Sequence, residues 1–426
     1  MRKFKLALFL GLAVVLVVAF ALPGCAPKAP AGEPIILGLP TSLYTPEGKD
    51  NRDAVILAAE EINAAGGVDV AGVKRPFKIV VSDTRGGEPG VPVHDALLAC
   101  EKLILEEKPA AVVVAPYRSE VMVASMDLFS RYKVLTLQTI AQTPTITTKI
   151  AEDPEKYKYI FKACSHAGDM AITAGRVLGS VKEDFGFDRI YMVSEDVLWQ
   201  RGFTGGAKKI CEGQGWNVLA YDLVPHGCTD YSSVFIKATE AKAQVVWLNG
   251  DSPQSPIAAK QFYDMKVPAL LCSYATPCNI PAAWEALGEK LAWALGNETP
   301  AGTQTPVKAL PKSIHFIDAF HERWERDFGT AWTPAYGYDS VYIIADAIER
   351  AGSLDPDKLV AAVEKTDIKG VGGRTRFDEN HKIIFNETPE ETQILLIFQW
   401  RPGGIRLPVY PKVVAEGKIE LPPWMK

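Results

Sequence analysis

Ile35-Ile36-Leu37-Gly38-Leu39, a helical stretch over 52–65 that stops at Ala64-Ala65-Gly66-Gly67, and Phe77-Lys78-Ile79-Val80-Val81-Ser82 form one strand–helix–strand unit that decides the fold. The two flanking runs are short, apolar and rich in β-branched residues, as expected of strands buried on both faces. A helix of this length between two such strands predicts a parallel pair joined by a crossover. Asp50, with Asp53 three residues later, is expected to satisfy the first turn of that helix.

The alternation continues outward. Strands are predicted at 110–115 and 134–137, with helices at 92–106 and 119–132. A second series has strands near 159–163, 189–194, 217–224, 245–249, 269–271 and 290–295. Its helices lie near 168–181, 201–214, 231–241, 253–265 and 281–287. Two more helices, 313–328 and 336–351, precede a tail of strand and turn from Arg374. The pattern predicts an α/β protein with two Rossmann-like, doubly wound lobes.

The 426 residues are 47% hydrophobic and 23% charged, a globular balance that excludes disorder, collagen and coiled coil. Lys and Arg number 46 against 51 Asp and Glu, giving a net charge of −5. No nucleic-acid partner is expected, because the cationic surface that phosphate neutralisation needs is missing.

Arg2, Lys3 and Lys5 precede an uncharged apolar run from Leu6 to Leu22, which reads as the basic and apolar regions of a signal peptide over 1–24. The run is near the lower limit for crossing a bilayer, so a retained helical anchor competes with that reading. Leu22-Pro23-Gly24-Cys25 resembles a bacterial lipobox and favours cleavage with lipidation of Cys25. The Pro-rich segment over 25–33 is then a tether. The expected address is extracytoplasmic, lipid-anchored to a bacterial membrane in the periplasm or at the cell surface.

Further landmarks follow in order: Ala58-Ala59-Glu60-Glu61-Ile62-Asn63, Ser82-Asp83-Thr84, Tyr336-Gly337-Tyr338-Asp339-Ser340-Val341, and Ile368-Lys369-Gly370-Val371-Gly372-Gly373 before Phe377-Asp378. Together, behind the lipobox, they resemble the type I periplasmic binding proteins of ABC importers, in the leucine/isoleucine/valine-binding branch. The resemblance runs from about Ile35 to Tyr410. It implies a three-crossing hinge, with one lobe combining 34–162 and 300–373 and the other 163–299 and 374–426. It also implies one small ligand in the cleft, and ABC permease and ATPase subunits as partners.

Ligands of doubly wound sheets lie beyond the C-terminal ends of the strands, so the loops there supply the candidate residues. Tyr117-Arg118-Ser119 opens a helix; Ser119 and nearby amides suit a carboxylate, which is the role the resemblance implies, while a plain N-cap is the alternative. Arg118 is either a second anion partner or a solvated loop residue. Ile140-Ala141-Gln142 stands where the family has a small residue and a hydroxyl that contact both ends of an amino acid, with Gln142 replacing the hydroxyl. Trp199 occupies a place where the family puts an aromatic lid over the ligand, with a core Trp the weaker alternative among its polar neighbours. Asp251 is either an ammonium partner or a helix N-cap. Tyr274 stands where amino-acid binders carry a Glu for the ligand ammonium; Tyr336 joins the candidate lining, and Tyr44 in the first loop is either a further ligand contact or plain surface.

Other signals lead nowhere. Gly213-Gln214-Gly215 precedes a strand and lacks a third glycine, so it is a helix stop and no dinucleotide fingerprint. His315 and His321 are poorly spaced for a metal, and no nucleophile motif occurs. No cofactor, metal or catalysis is expected. Besides Cys25 the chain holds Cys100, Cys164, Cys211, Cys228, Cys272 and Cys278, with Cys272–Cys278 the best single disulfide guess and free thiols the alternative.

The leading expectation is a solute-binding lipoprotein of an ABC importer, taking a branched-chain or aromatic amino acid. The alternatives are a receptor for a des-amino ligand, such as an aromatic carboxylate or amide, and a sensor that reports occupancy to a signalling protein. An enzyme on the same fold finds no supporting residues.

Overall fold

A computed structural model describes residues 32–88 and 90–425; the leader, Cys25 and most of the tether lie outside the described residues. The first series runs β1 (Ile35–Thr41), α1 (Pro46–Ala64), the ribbon β2 (Val68–Val70) with β3 (Val73–Arg75), β4 (Phe77–Asp83), α2 (Val93–Glu107) and β5 (Ala111–Val114). It continues with α3 (Ser119–Arg131), β6 (Leu135–Gln138), α4 (Thr145–Glu152), α5 (Pro154–Tyr157) and β7 (Ile160–Lys162). The second series is α6 (Ala167–Phe185), β8 (Arg189–Glu195), α7 (Leu198–Gly213), β9 (Asn217–Val224), α8 (Ser232–Glu240) and β10 (Val245–Gly250). α9 (Pro256–Asp264), β11 (Leu270–Ala275), α10 (Pro281–Leu287) and β12 (Leu295–Glu298) complete it. Then come α11 (Pro311–Trp324), α12 (Pro334–Ala351), α13 (Pro356–Val363), the ribbon β13 (Ile368–Gly370) with β14 (Gly373–Thr375), β15 (Leu396–Arg401) and β16 (Ile405–Tyr410).

The strands form a five-stranded sheet, β4-β1-β5-β6-β7, and a seven-stranded sheet, β16-β15-β12-β11-β10-β8-β9. Pairing in the first sheet is parallel throughout, and in the second the β12-β15-β16 edge is antiparallel. Helices cover both faces, which is why the strands read as unbroken apolar runs. In β10, for example, Val245 and Trp247 enter one core while Val246 and Leu248 enter the other. The chain passes between the sheets three times: from β7 to α6, after β12, and between β14 and β15. The protein is therefore a pair of Rossmann-like lobes on a three-crossing hinge.

Three sequence expectations differ from the structure. α1 starts at Pro46, ahead of the predicted position, because Thr45 caps it: Gly48 N donates to Thr45 Oγ1 at 3.2 Å and Pro46 fills the first turn. Asp50 and Asp53 accordingly cap nothing; they accept from Arg326 at 2.8 and 2.6 Å. The strand expected at 290–295 falls at Leu295–Glu298, after a tight turn and a Trp293 held at φ 76°. Finally, Cys272 and Cys278 lie in different cores and form no bridge; all six described cysteines are free thiols.

The landmark motifs acquire a physical reason. Asp339 on α12 accepts from Val371 N at 2.8 Å and Lys312 Nζ at 2.9 Å. A Cβ on Gly370 would meet Asp339 Oδ2 at 2.4 Å, so only glycine lets the ribbon approach α12 this closely.

Candidate functional site

The C-terminal ends of the parallel strands carry the loops that border the cleft. After β5 the backbone turns abruptly, with Val114 at φ 74° and Ala115 at φ 63°, and Ala115 N donates to Val113 O at 3.0 Å. A β-branched residue in the left-handed region costs on the order of 1–3 kcal/mol, and such strain is retained where the surroundings fix it. The turn sets α3 to begin at Ser119. Arg118, not Ser119, is the cap residue, and no side chain caps the first turn. The guanidinium of Arg118 is engaged elsewhere, at 3.1 Å from Val91 O and 3.3 Å from Glu120. The uncapped first-turn amides of α3, with the partly exposed Ser119, suit an anion. Tyr117 is packed against the first core with its ring partly exposed.

After β6, Ile140 and Ala141 are buried, and Gln142 Nε2 donates to Ile140 O at 3.2 Å. Gln142 Oε1 is buried without a partner. Beneath this loop lies Lys162, fully buried, donating to Ala141 O at 2.5 Å and to Gln138 Oε1 at 3.5 Å, with Cys164 Sγ 3.4 Å away. Burial pushes its ammonium pKa down. The Ala141 carbonyl is thus braced from below by Lys162, a role with no local signature in the sequence.

In the second lobe the centre is Asp251. Its Oδ2 accepts from Trp199 Nε1 at 2.7 Å and its Oδ1 from Gln200 Nε2 at 2.9 Å. The cap of α9 is Ser255, so the N-cap reading of Asp251 does not apply. Burial raises the Asp251 pKa, against the lowering effect of the Trp199 bond. Trp199 stacks on Phe203 at 6.3 Å and positions the Asp251 carboxylate through its indole N–H.

Behind Asp251, the buried Glu195 accepts from the backbone of Asp251 and Ser252, both at 3.1 Å, and from the Ser252 hydroxyl. Burial works against its charge, but these donors hold its pKa low. His226 Nδ1 lies 3.1 Å from Glu195 and 3.5 Å from Asp251. Glu195, His226 and Asp251 bring ligand atoms within 4.8 Å of one another. The Glu195 oxygens are already taken by the loop, so the trio works as a latch that aims Asp251.

Two candidate aromatics are placed elsewhere. Tyr274 is 4% exposed, stacked on Trp247 at 4.3 Å and edge-on to Phe203 at 5.1 Å, because strand alternation puts it on the core face with Cys272. Its ring is core, not ligand wall. Tyr336 is 1% exposed, and its hydroxyl lies 2.8 Å from Thr299 Oγ1, which lies 2.8 Å from Ser165 Oγ. That chain of hydroxyls ties together two hinge crossings and α12. Tyr44 is 58% exposed on the loop before α1.

The early start of α1 brings in a residue that sequence reasoning missed. Glu47, in the first turn, is half-buried beyond the C-terminal end of β1. Burial raises its carboxyl pKa to about 7, with Asp50 and Asp251 adding to the effect. Thr45-Pro46-Glu47, a capping residue followed by proline, was the available signal.

Comparison with known proteins gives a consistent picture. The periplasmic binding protein family matches residues 36–401. The chain is 24% identical over 368 residues to the leucine-, isoleucine-, valine-, threonine- and alanine-binding protein of Pseudomonas aeruginosa, covering 85% of this chain and 90% of that one. An ABC transporter substrate-binding protein from Sphaerobacter thermophilus superposes with a TM-score of 0.70 at 18% identity, covering 88% of this chain and 96% of that one. The branched-chain amino acid transporter substrate-binding protein LivJ from Streptococcus pneumoniae, solved with isoleucine, gives 0.66 at 18% identity, covering 88% and 99%.

Proposed function

The chain belongs to the type I periplasmic binding proteins, in the leucine/isoleucine/valine-binding family, and on that premise we propose that it is the extracytoplasmic receptor of an ABC importer for a branched-chain or aromatic amino acid. The family binds solutes and does so outside the cytoplasm. Among the described residues no helix is long and apolar enough to cross a membrane. Attachment through lipid on Cys25 and delivery to permease and ATPase subunits belong to the proposal.

The observation that carries the amino-acid reading is the Asp251 carboxylate, held in place by Trp199 and Gln200. A charge fixed by two donors meets a ligand ammonium without reorganising, and so supplies the counter-charge that Tyr274 does not. The uncapped turn at Ser119 takes the α-carboxylate. Tyr117 and Trp199 cover the side chain, and closure of the lobes removes water from it. The loss of Tyr274 and Tyr336 from the lining leaves the pocket less aromatic, which weakens the case for an aromatic des-amino ligand. The proposed lobes are 34–162 with 300–373 and 163–299 with 374–426.

Calorimetric titration of wild type and Asp251→Ala with leucine and phenylalanine tests this. Loss of at least about 10-fold in affinity is expected, the size of a charge-assisted hydrogen bond. Unchanged affinity sinks the role of Asp251.

A further inference from the structure

Three neighbouring strands of the second sheet, β10, β8 and β9 in spatial order, deliver Asp251, Glu195 and His226 at their C-terminal ends. His226 Nδ1 lies 3.1 Å from Glu195 Oε2 and 3.5 Å from Asp251 Oδ1. Access differs along the row: the Glu195 side chain is fully buried, that of Asp251 is 34% exposed and the imidazole 54%. The row therefore runs from the interior to the solvent, and His226 is the member that exchanges protons with the surroundings.

The two carboxylates differ in what they have left to accept. Glu195 already takes Asp251 N, Ser252 N and the Ser252 hydroxyl. Asp251 takes only Trp199 Nε1 on one oxygen and Gln200 Nε2 on the other, while an ionised carboxylate has about four acceptor sites. His226 Nδ1 faces Oδ1, the oxygen that Gln200 holds. Among the described residues, His226 is the one basic side chain with a nitrogen within 4.0 Å of Asp251. Other charged groups nearby are engaged away from the imidazole. Asp196, next to Glu195, pairs with Arg201 at 2.5 Å, and Asp230, on the loop of His226, accepts from Ser232 N at 2.9 Å. Cys228 Sγ donates to Asp230 O at 3.4 Å, and Tyr231 is fully buried.

We propose that His226 is a positioning residue whose imidazolium competes with the ligand ammonium for Asp251, so that amino-acid affinity falls as the surroundings become acidic. The inference rests on the reading of Asp251 as the ammonium partner and adds a rival for that charge built into the protein. The neutral imidazole, with its proton on Nδ1, donates to Glu195 and leaves the charge of Asp251 to the ligand. The imidazolium brings a positive charge to the same carboxylate, and the ammonium then meets an anion that is already compensated. Imidazoles change charge between about pH 5 and 8, and outside the cytoplasm that change follows the medium directly. A mere tie between His226 and Glu195 predicts the opposite sign, since a charged donor would hold the loop better in acid.

The test is a calorimetric titration of the refolded, ligand-free protein with leucine and phenylalanine at about pH 8 and about pH 6. Wild type, His226→Gln, His226→Lys and Asp251→Asn are compared, and circular dichroism confirms that each is folded. Wild type is expected to lose about 3- to 10-fold in affinity between the two pH values, and His226→Gln distinctly less. His226→Lys, a cation at both, is expected to bind about 3- to 10-fold more weakly than wild type already at pH 8. Glu47 and Asp50, raised to about 7 and about 6, titrate in the same range, and the His226→Lys comparison at one pH is free of them. A pH profile that His226→Gln reproduces in full, or wild-type affinity in His226→Lys at pH 8, overturns the inference while the role of Asp251 stands. Unchanged amino-acid affinity in Asp251→Asn overturns the reading of Asp251 and this inference with it.

Discussion

The indole N–H of Trp199 donates to Asp251 Oδ2 at 2.7 Å, and this contact converts a loop carboxylate into a fixed charge. Trp199→Phe keeps an aromatic wall and removes the donor. Amino-acid affinity is expected to fall about 10-fold, with des-amino ligands unaffected, in a calorimetric titration. Equal effects on both classes would make Trp199 a wall and nothing more.

Glu47 gives a pH signature. Its carboxyl rises from the ordinary 4.5 to about 7 in the fold, so the folded state holds the proton more tightly than the unfolded chain. The resulting cost to stability is absent below the unfolded value, grows as pH rises through the folded value, and is constant above it. Ligand-free Glu47→Gln is therefore expected to melt above wild type at pH 8, with the gap closing between about pH 7 and 4.5. Asp50, raised to about 6 by burial, titrates in the same window and adds to the rise at Glu47, so the same comparison in an Asp50→Asn background separates the two. A gap that does not change with pH contradicts the placement of Glu47.

Tyr336 belongs to the hinge through Thr299 and Ser165. Tyr336→Phe is expected to lower stability by about 1 kcal/mol in urea unfolding while changing ligand affinity less than about 3-fold. A large affinity loss at unchanged stability would return Tyr336 to the ligand wall.

Five of the six described cysteines are buried, and Cys228 alone is partly exposed. Burial pushes the Cys100, Cys211 and Cys278 thiols up to about 12, which keeps them unreactive. Thiol titration of a chain without Cys25 is expected to show one accessible thiol in the native protein and six after denaturation. Fewer than six in denaturant would reveal a disulfide.

Much of the fold was legible because strand burial on both faces writes itself as apolar runs, and β1, β4, β8, β9 and β10 fall close to their expected places. Helix starts were less legible where a cap sits ahead of the apolar period. Thr45 at α1 and Asp355 before Pro356 at α13 are both caps followed by proline; the first lies ahead of the apolar period of its helix, and the second opens a helix too short to show one. The candidate residues on loops were found by position after each strand, but the direction of a side chain was not. The sequence places Tyr274 beyond a strand at 269–271, but β11 runs on to Ala275 and pairs Tyr274 with Asn249, which turns its ring into the core, whereas Asp251 lies past the end of β10 and finds donors in Trp199 and Gln200. Lys162 has no local signature, since its role depends on Ala141 and Gln138, which are distant in sequence.

The most direct test of the account is a thermal-shift titration of the refolded, ligand-free protein with leucine, phenylalanine and their des-amino counterparts. A ligand at about 100 times its Kd adds about 2.7 kcal/mol and raises the midpoint visibly. The account predicts that the amino acids raise the midpoint and the des-amino acids do not. A rise with isocaproate or phenylpropionate equal to that with the amino acids would contradict it.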